Sequence, residues 1–220
     1  MTTLLRTAIA ALASLAIAGS SNILHAQTHD QAALDARVTR FLDERAGRWR
    51  DLNVPPQDGQ LLHDLIVKHR YTRALEIGTS TGHSGIWIAW ALSKTGGKLI
   101  TVELDEARHR EALANFEAAG LSAFIDARLG DAHAIVPALD GPFDFVFSDA
   151  DKDWYPNYFK SVFPKLVGGG CYTTHNISNN GRRGAAGSGE YLAFLKTVPN
   201  GDTTVDDRGA GLAITYKRGT

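Results

Sequence analysis

Beyond residue 73 the chain alternates between short apolar runs and segments of helical period, and this alternation limits the possible folds more than any other feature. Ala74–Ile77, Leu99–Glu103, Ala127–Leu129, Phe143–Ser148 and Cys171–Thr174 read as strands. Helical stretches separate them at Ser84–Ser93, Glu106–Ala119, Ala134–Leu139 and Trp154–Leu166, the last interrupted near Pro164. Gly120 supplies a stop for the second of these helices. Strands linked through helices pair in parallel, since a parallel pair needs a long crossover. Phe143–Ser148 is apolar at most positions, which predicts burial on both faces. The final runs, Thr203–Val205 and Leu212–Tyr216, are joined by a Gly-rich turn too short for a crossover and predict an antiparallel hairpin. The expected fold class is α/β: a doubly wound, mostly parallel seven-stranded sheet with a C-terminal antiparallel hairpin and helices on both faces.

Upstream, Leu34, Val38, Phe41 and Leu42 have helical spacing within Gln31–Arg50, and Val54-Pro55-Pro56 breaks that helix. A second helix follows, with Leu61, Leu62, Leu65 and Ile66 on one face and Asp58 as its candidate cap. Residues 1–26 are different in kind. They hold one cation, Arg6, no acid, and an apolar run from Thr7 to Gly19 that is short for a membrane span. That layout predicts an export signal cut after Ala26, hence a periplasmic or secreted protein with no stable membrane insertion after cleavage. The alternatives are a retained Ala-rich helix or an uncleaved anchor, on a cytoplasmic or membrane-anchored protein. The predicted division is residues 1–26 as signal, 27–70 as N-terminal helices and 71–220 as the sheet-based core. With 23 basic against 24 acidic side chains, the net charge of -1 argues against a nucleic-acid-binding face. A single cysteine, Cys171, excludes an internal disulfide and a multi-Cys zinc site. Asn179–Gly189, with Arg182 and Arg183, reads as a Gly-rich basic loop.

Candidate chemistry collects at strand ends. Glu76-Ile77-Gly78-Thr79-Ser80-Thr81-Gly82 lies where a strand meets a helix, where glycines let the backbone approach a ligand and the helix offers free N–H groups. Its spacing is neither the dinucleotide fingerprint nor a P-loop. Glu103 ends the next strand, where an acid can accept both hydroxyls of a ribose; its alternative role is a cap or solvated loop acid. Asp131-Ala132 follows the third strand, placed to read an adenine edge, and Asp131 is also a plausible helix cap. Asp149 ends the fourth strand and begins the run Asp149-Ala150-Asp151-Lys152-Asp153. Carboxylate and amide oxygens suit a hard divalent cation, while Asp151 and Asp153 are also explained as first-turn acids. His175-Asn176 ends the fifth strand and offers two more donor atoms, with a structural histidine as the alternative.

Together these residues resemble the class I S-adenosylmethionine-dependent methyltransferases. More closely, they resemble the metal-dependent O-methyltransferases of the catechol and caffeoyl-CoA type. The likeness runs from about Val54 to Tyr216. It rests on Leu75-Glu76-Ile77-Gly78, Thr81-Gly82-His83-Ser84, Glu103, Asp144-Phe145 through Asp153, and Gly168-Gly169-Gly170. The resemblance implies a Rossmann-like fold, a homodimer and a small aromatic hydroxylated acceptor. It implies that Glu76, Gly78 and Ser84 surround the methionine part of S-adenosylmethionine, with Glu103 on the ribose, Asp131 and Ala132 at the adenine, and Asp149 and Tyr158 nearby. It also implies metal ligation by Asp149 and Asn176, to which the nitrogen of His175 adds a third candidate ligand, with Lys152 beside the reacting hydroxyl.

One departure stands out. Where the family has Asp-Asn, this chain has His175-Asn176. The change favours a metal that accepts imidazole, or means that the metal is lost. With a metal, of which Mg²⁺ or Mn²⁺ is the first expectation, the ion acidifies the acceptor phenol and fixes it, a neutral Lys152 takes the proton, and Trp154 and Tyr155 wall the acceptor. Without one, His175 becomes the general base of a metal-independent methyltransferase. The third possibility is a non-catalytic, exported S-adenosylmethionine-binding protein.

Overall fold

The computed structural model describes residues 30–179 and 188–219. The predicted export signal at residues 1–26, and Arg182 and Arg183 of the predicted basic loop, lie outside the described residues. The elements are α1 (30–44), α2 (Pro56–His69), β1 (Arg73–Ile77), α3 (His83–Thr95), β2 (Lys98–Glu103), α4 (Glu106–Ala119) and β3 (Ile125–Leu129). They continue with α5 (Ala132–Ala138), β4 (Phe143–Ser148), α6 (Tyr155–Val162), β5 (Leu166–His175), α7 (Ser188–Lys196), β6 (Gly201–Asp206) and β7 (Leu212–Lys217).

The strands form one sheet in the order β3-β2-β1-β4-β5-β7-β6. The first five pair in parallel and β7 is antiparallel to both β5 and β6, as the sequence predicts. Side chains alternate between two apolar layers. Leu75, Ile77 and Val146 face α5, α6 and α7, whereas Phe145, Phe147 and Cys171 face α2 and α3. That alternation is the period-2 rule applied to strands covered on both faces. Val38 and Leu42 of α1 join a third cluster with α3 and α4 through Ile86 and Phe116.

Strand order reverses between β1 and β4, both of which follow the chain toward the same sheet edge. A crevice opens there because the helices after β1 and β4 leave in opposite directions. Two local expectations change. Asp58 does not cap α2: the N-cap residue is Pro55, and Asp58 sits in the first turn, 1% exposed, with its carboxylate turned into the protein. β5 begins at Leu166, so the three glycines belong to the strand, and its register with β4 shifts between Phe143 and Phe145. Helix α7 is additional to the predicted elements; Tyr191, Leu192 and Leu195 carry it into the core beside α6.

Candidate active site

The glycine-rich turn after β1 is folded by its neighbours. Gly78 has φ 96°, and a Cβ there would lie 2.9 Å from the Asp149 carbonyl oxygen, so the two strand ends meet only because this residue lacks a side chain. Glu103 accepts from the Ser80 N–H at 2.7 Å and the Asp105 N–H at 3.0 Å, tying the end of β2 to the turn. Asp131 caps α5 by accepting from the His133 N–H at 2.9 Å, and Asp105 caps α4 in the same way.

These ends enclose a cleft of about 390 Å³. Gly78, Ser84, Glu103 and Asp149 line one part of it, and Asp131, Ala132 and Tyr158 another. Seven of the eight residues predicted to surround a nucleotide-type ligand are therefore brought together. The eighth, Glu76, is fully buried behind the cleft and is not part of its lining. Its Oε2 accepts from Thr101 Oγ1 at 2.6 Å, its Oε1 lacks a partner, and burial pushes its carboxyl up to about 8. Ser80 Oγ is a second buried polar atom without a protein partner, at the cleft itself. Unsatisfied polar atoms beside a backbone cradle fit a polar ligand.

Two features of the rim were not anticipated. His133 lines the cleft and stacks on Trp154 with ring centroids 3.7 Å apart, which sets Trp154 against the cleft's rim. Arg108 lines the cleft and is held by Asp51 at 2.7 Å. For the first, the only signals were His133 two positions after Asp131 and Trp154 five positions after Asp149. The second joins residues far apart in the chain. Tyr155 is not an exposed wall: it is 2% exposed, and its hydroxyl donates to the His175 carbonyl at 3.1 Å. Burial, with Asp149 nearby, raises that phenol well above its ordinary range. A separate cavity of about 580 Å³ lies behind α3, lined by Trp49, His83, Trp87 and Trp90 and by none of the cleft residues.

Beside the cleft, Asp149, Lys152, His175 and Asn176 converge as predicted, and Asp58 joins them. His175 Nδ1 lies 2.9 Å from Asp149 Oδ2, and Nε2 lies 2.9 Å from Asp58 Oδ2. The Ala210 N–H donates to the same Asp58 oxygen at 2.8 Å. Lys152 Nζ donates to Asn176 Oδ1 at 2.6 Å, Asp149 Oδ1 at 3.2 Å and the Tyr155 hydroxyl at 3.2 Å. Burial pulls the His175 imidazole down, but the carboxylates of Asp149 and Asp58 outweigh it and push it up to about 9.

This donor set does not fit a divalent metal. Both imidazole nitrogens point at carboxylates, so neither offers a lone pair to a cation. Both Asp149 oxygens and the Asn176 amide oxygen already accept from cationic groups. Among the described residues, no group of three or more His, Cys, Asp and Glu side chains is arranged to hold a metal ion. The expected ligation by Asp149, His175 and Asn176 is corrected accordingly. His175 is also misplaced as a general base: it is 4% exposed, with both nitrogens engaged away from the cleft.

A sheet that reverses order at a glycine-lined crevice, with an acid at the tip of the second strand, defines a Rossmann-like nucleotide-ligand class. The family model described as O-methyltransferase matches residues 27–197, and the chain belongs to that family. It is 36% identical over 135 residues to a catechol O-methyltransferase of Niastella koreensis, covering 60% of this chain and 61% of that protein. It is 33% identical over 138 residues to caffeoyl-CoA O-methyltransferase 1 of Eucalyptus globulus, covering 60% of this chain and 56% of that protein. The chain thus spans somewhat over half the length of the curated relatives it matches. Among solved structures, an O-methyltransferase from Bacillus cereus in complex with SAH has a TM-score of 0.70 and 26% identity, over 83% of this chain and 91% of that one. TomG from Streptomyces achromogenes, in complex with SAM, has a TM-score of 0.68 and 28% identity, over 83% of this chain and 90% of that one.

Proposed function

We propose that this chain is an S-adenosylmethionine-dependent O-methyltransferase acting on a hydroxyl of a small aromatic, catechol-like acceptor. The observation that carries the reading is the cleft itself. Seven residues expected around the cofactor line one cavity, and Lys152 stands at its Asp149 side. The names of the catechol and caffeoyl-CoA relatives support the acceptor class.

In this reading Glu103 holds the ribose hydroxyls, the Gly78 and Ser84 region holds the methionine part, and Asp131, Ala132, His133 and Trp154 flank the adenine. S-adenosylmethionine supplies an electrophilic methyl group, whose C–S bond breaks as the new C–O bond forms. The chain must present the acceptor as an oxyanion, because a phenol near pKa 10 is mostly protonated at neutral pH. The three protons of the Lys152 ammonium match its three acceptors, Asp149, Asn176 and Tyr155. Lys152 therefore acts as a cation that favours the ionised phenol, rather than as a neutral base. The acceptor proton passes to solvent. Export directed by residues 1–26 belongs to the same reading and is checked by N-terminal sequencing of the mature protein.

Calorimetry with S-adenosylmethionine tests the cofactor site. Glu103→Ala is expected to weaken binding by roughly 10- to 100-fold, the usual effect of losing hydrogen bonds to a charged group. Methyl transfer to catechol is expected to fall with Lys152→Ala while cofactor affinity holds. Binding unaffected by Glu103→Ala would overturn the assignment of the cleft.

A further inference from the structure

Resting on the methyltransferase reading above, we propose that the His175 imidazolium, clamped between Asp58 and Asp149, is a resident cation standing in for a divalent metal, so that this site is complete without one.

The geometry sets the protonation of the ring. Each nitrogen lies 2.9 Å from a carboxylate oxygen. A neutral imidazole has one N–H and one lone pair, and would face one of those carboxylates lone pair to lone pair. With both nitrogens donating, the ring makes two charge-assisted bonds. Charge balance points the same way. Asp58 and Asp149 contribute two negative charges, and His175 and Lys152 contribute two positive ones. The cluster is already neutral, so a divalent ion would enter against two cations instead of two uncompensated carboxylates.

Asp58 makes this arrangement possible. It reaches His175 from α2, across 117 residues of sequence, and is closed in by the turn between β6 and β7. A Cβ on Gly209 would come within 1.9 Å of Asp58 Oδ1, so the turn packs directly on the carboxylate. The His175–Asp58 pair is 5% and 1% exposed at its side chains. By contrast, Lys152 is 33% exposed, and it is the member of the cluster that can meet an acceptor. Asp58 and His175 are thus positioning residues. They hold Asp149, which holds Lys152.

The test is a Mn²⁺ titration of the full chain followed by electron paramagnetic resonance, beside a His175→Asp variant that restores two adjacent carboxylate and amide ligands. The wild-type chain is expected to take up no stoichiometric Mn²⁺. His175→Asp is expected to bind it at least about tenfold more tightly, since carboxylate oxygens suit Mn²⁺. Methyl transfer to catechol as the probe acceptor is expected to stay within about twofold when EDTA is added, because no metal-bound acceptor is involved. Stoichiometric Mn²⁺ uptake by the wild type overturns the proposal, and so does a folded His175→Asp that binds none. If that variant does not fold, the wild-type titration alone decides. S-adenosylmethionine calorimetry on the same samples separates the two readings. Absent cofactor binding defeats the methyltransferase assignment and leaves the metal result standing.

Discussion

At the scale of single residues, the site stores its character in buried ionisable groups. His175 is raised from its ordinary 6.5 to about 9, and Glu76 from 4.5 to about 8. A group whose folded pKa lies above its unfolded value adds stability below the unfolded value and loses it as pH rises through the folded one. Thermal unfolding followed by circular dichroism is therefore expected to show Tm falling as pH rises, from about pH 4.5 to 8 through Glu76 and from about 6.5 to 9 through His175. His175→Gln should flatten the upper part of that slope. His83 acts on the other limb. Its ring accepts from Trp87 and bonds the Val54 carbonyl, and burial pulls it down to about 4. A lowered histidine costs stability as pH falls from about 6.5 to 4, a dependence opposite in sign to that of Glu76 over much of the same range. At the turn, Gly78→Ala forces a side chain onto the Asp149 carbonyl at positive φ. It is expected to destabilise the fold by more than about 1 kcal/mol and to weaken S-adenosylmethionine binding together, as denaturant melts and calorimetry would show.

At the scale of elements, the segments that a strand-and-helix alternation can show were legible, and the ones that depend on packing were not. Strands β1, β2 and β4 announced themselves because runs covered on both faces are mostly apolar, whereas the edge strand β3, with Asp126 and Arg128 and no fully buried position, was only weakly marked. Asp58 read as a helix cap because acids near a helix start are usually caps, and nothing local showed that Pro55 takes that place. Helix α7 follows a Gly-rich run that reads as loop, and the packing of Tyr191, Leu192 and Leu195 beside α6 makes it a core element. The β6–β7 turn deserves a direct test because its glycine touches Asp58. Gly209→Ala is expected to push the turn off the carboxylate, lowering Tm and raising the exchange rate of the Ala210 amide, which hydrogen-deuterium exchange would report. On the cleft side, Trp154→Ala removes the ring stacked on His133. S-adenosylmethionine affinity should fall roughly 2- to 10-fold, the range for one aromatic contact, with little change in Tm.

At the scale of the whole molecule, seven strands and the helices on both faces place every candidate group at one edge. β1 and β4 are the innermost pair at the reversal, and β3 and β6 are the sheet's edges. Amides of β1 and β4 are accordingly expected to exchange slowest and those of β6 fastest, a pattern that native-state exchange can check. The sequence by itself determined the class of fold, the glycine turn and the acids at the strand ends. Local periodicity, glycine and strand-terminal position are properties of neighbouring residues, so one chain carries them openly. The tertiary structure alone decided what His175 is. Its meaning depends on Asp58, brought from α2, and on Ala210, brought from the hairpin turn, and no local pattern encodes an encounter between residues so distant in sequence. In the linear chain His175 stood as a ligand or a base. In the fold both of its nitrogens are committed to carboxylates, and that commitment makes it a buried charge.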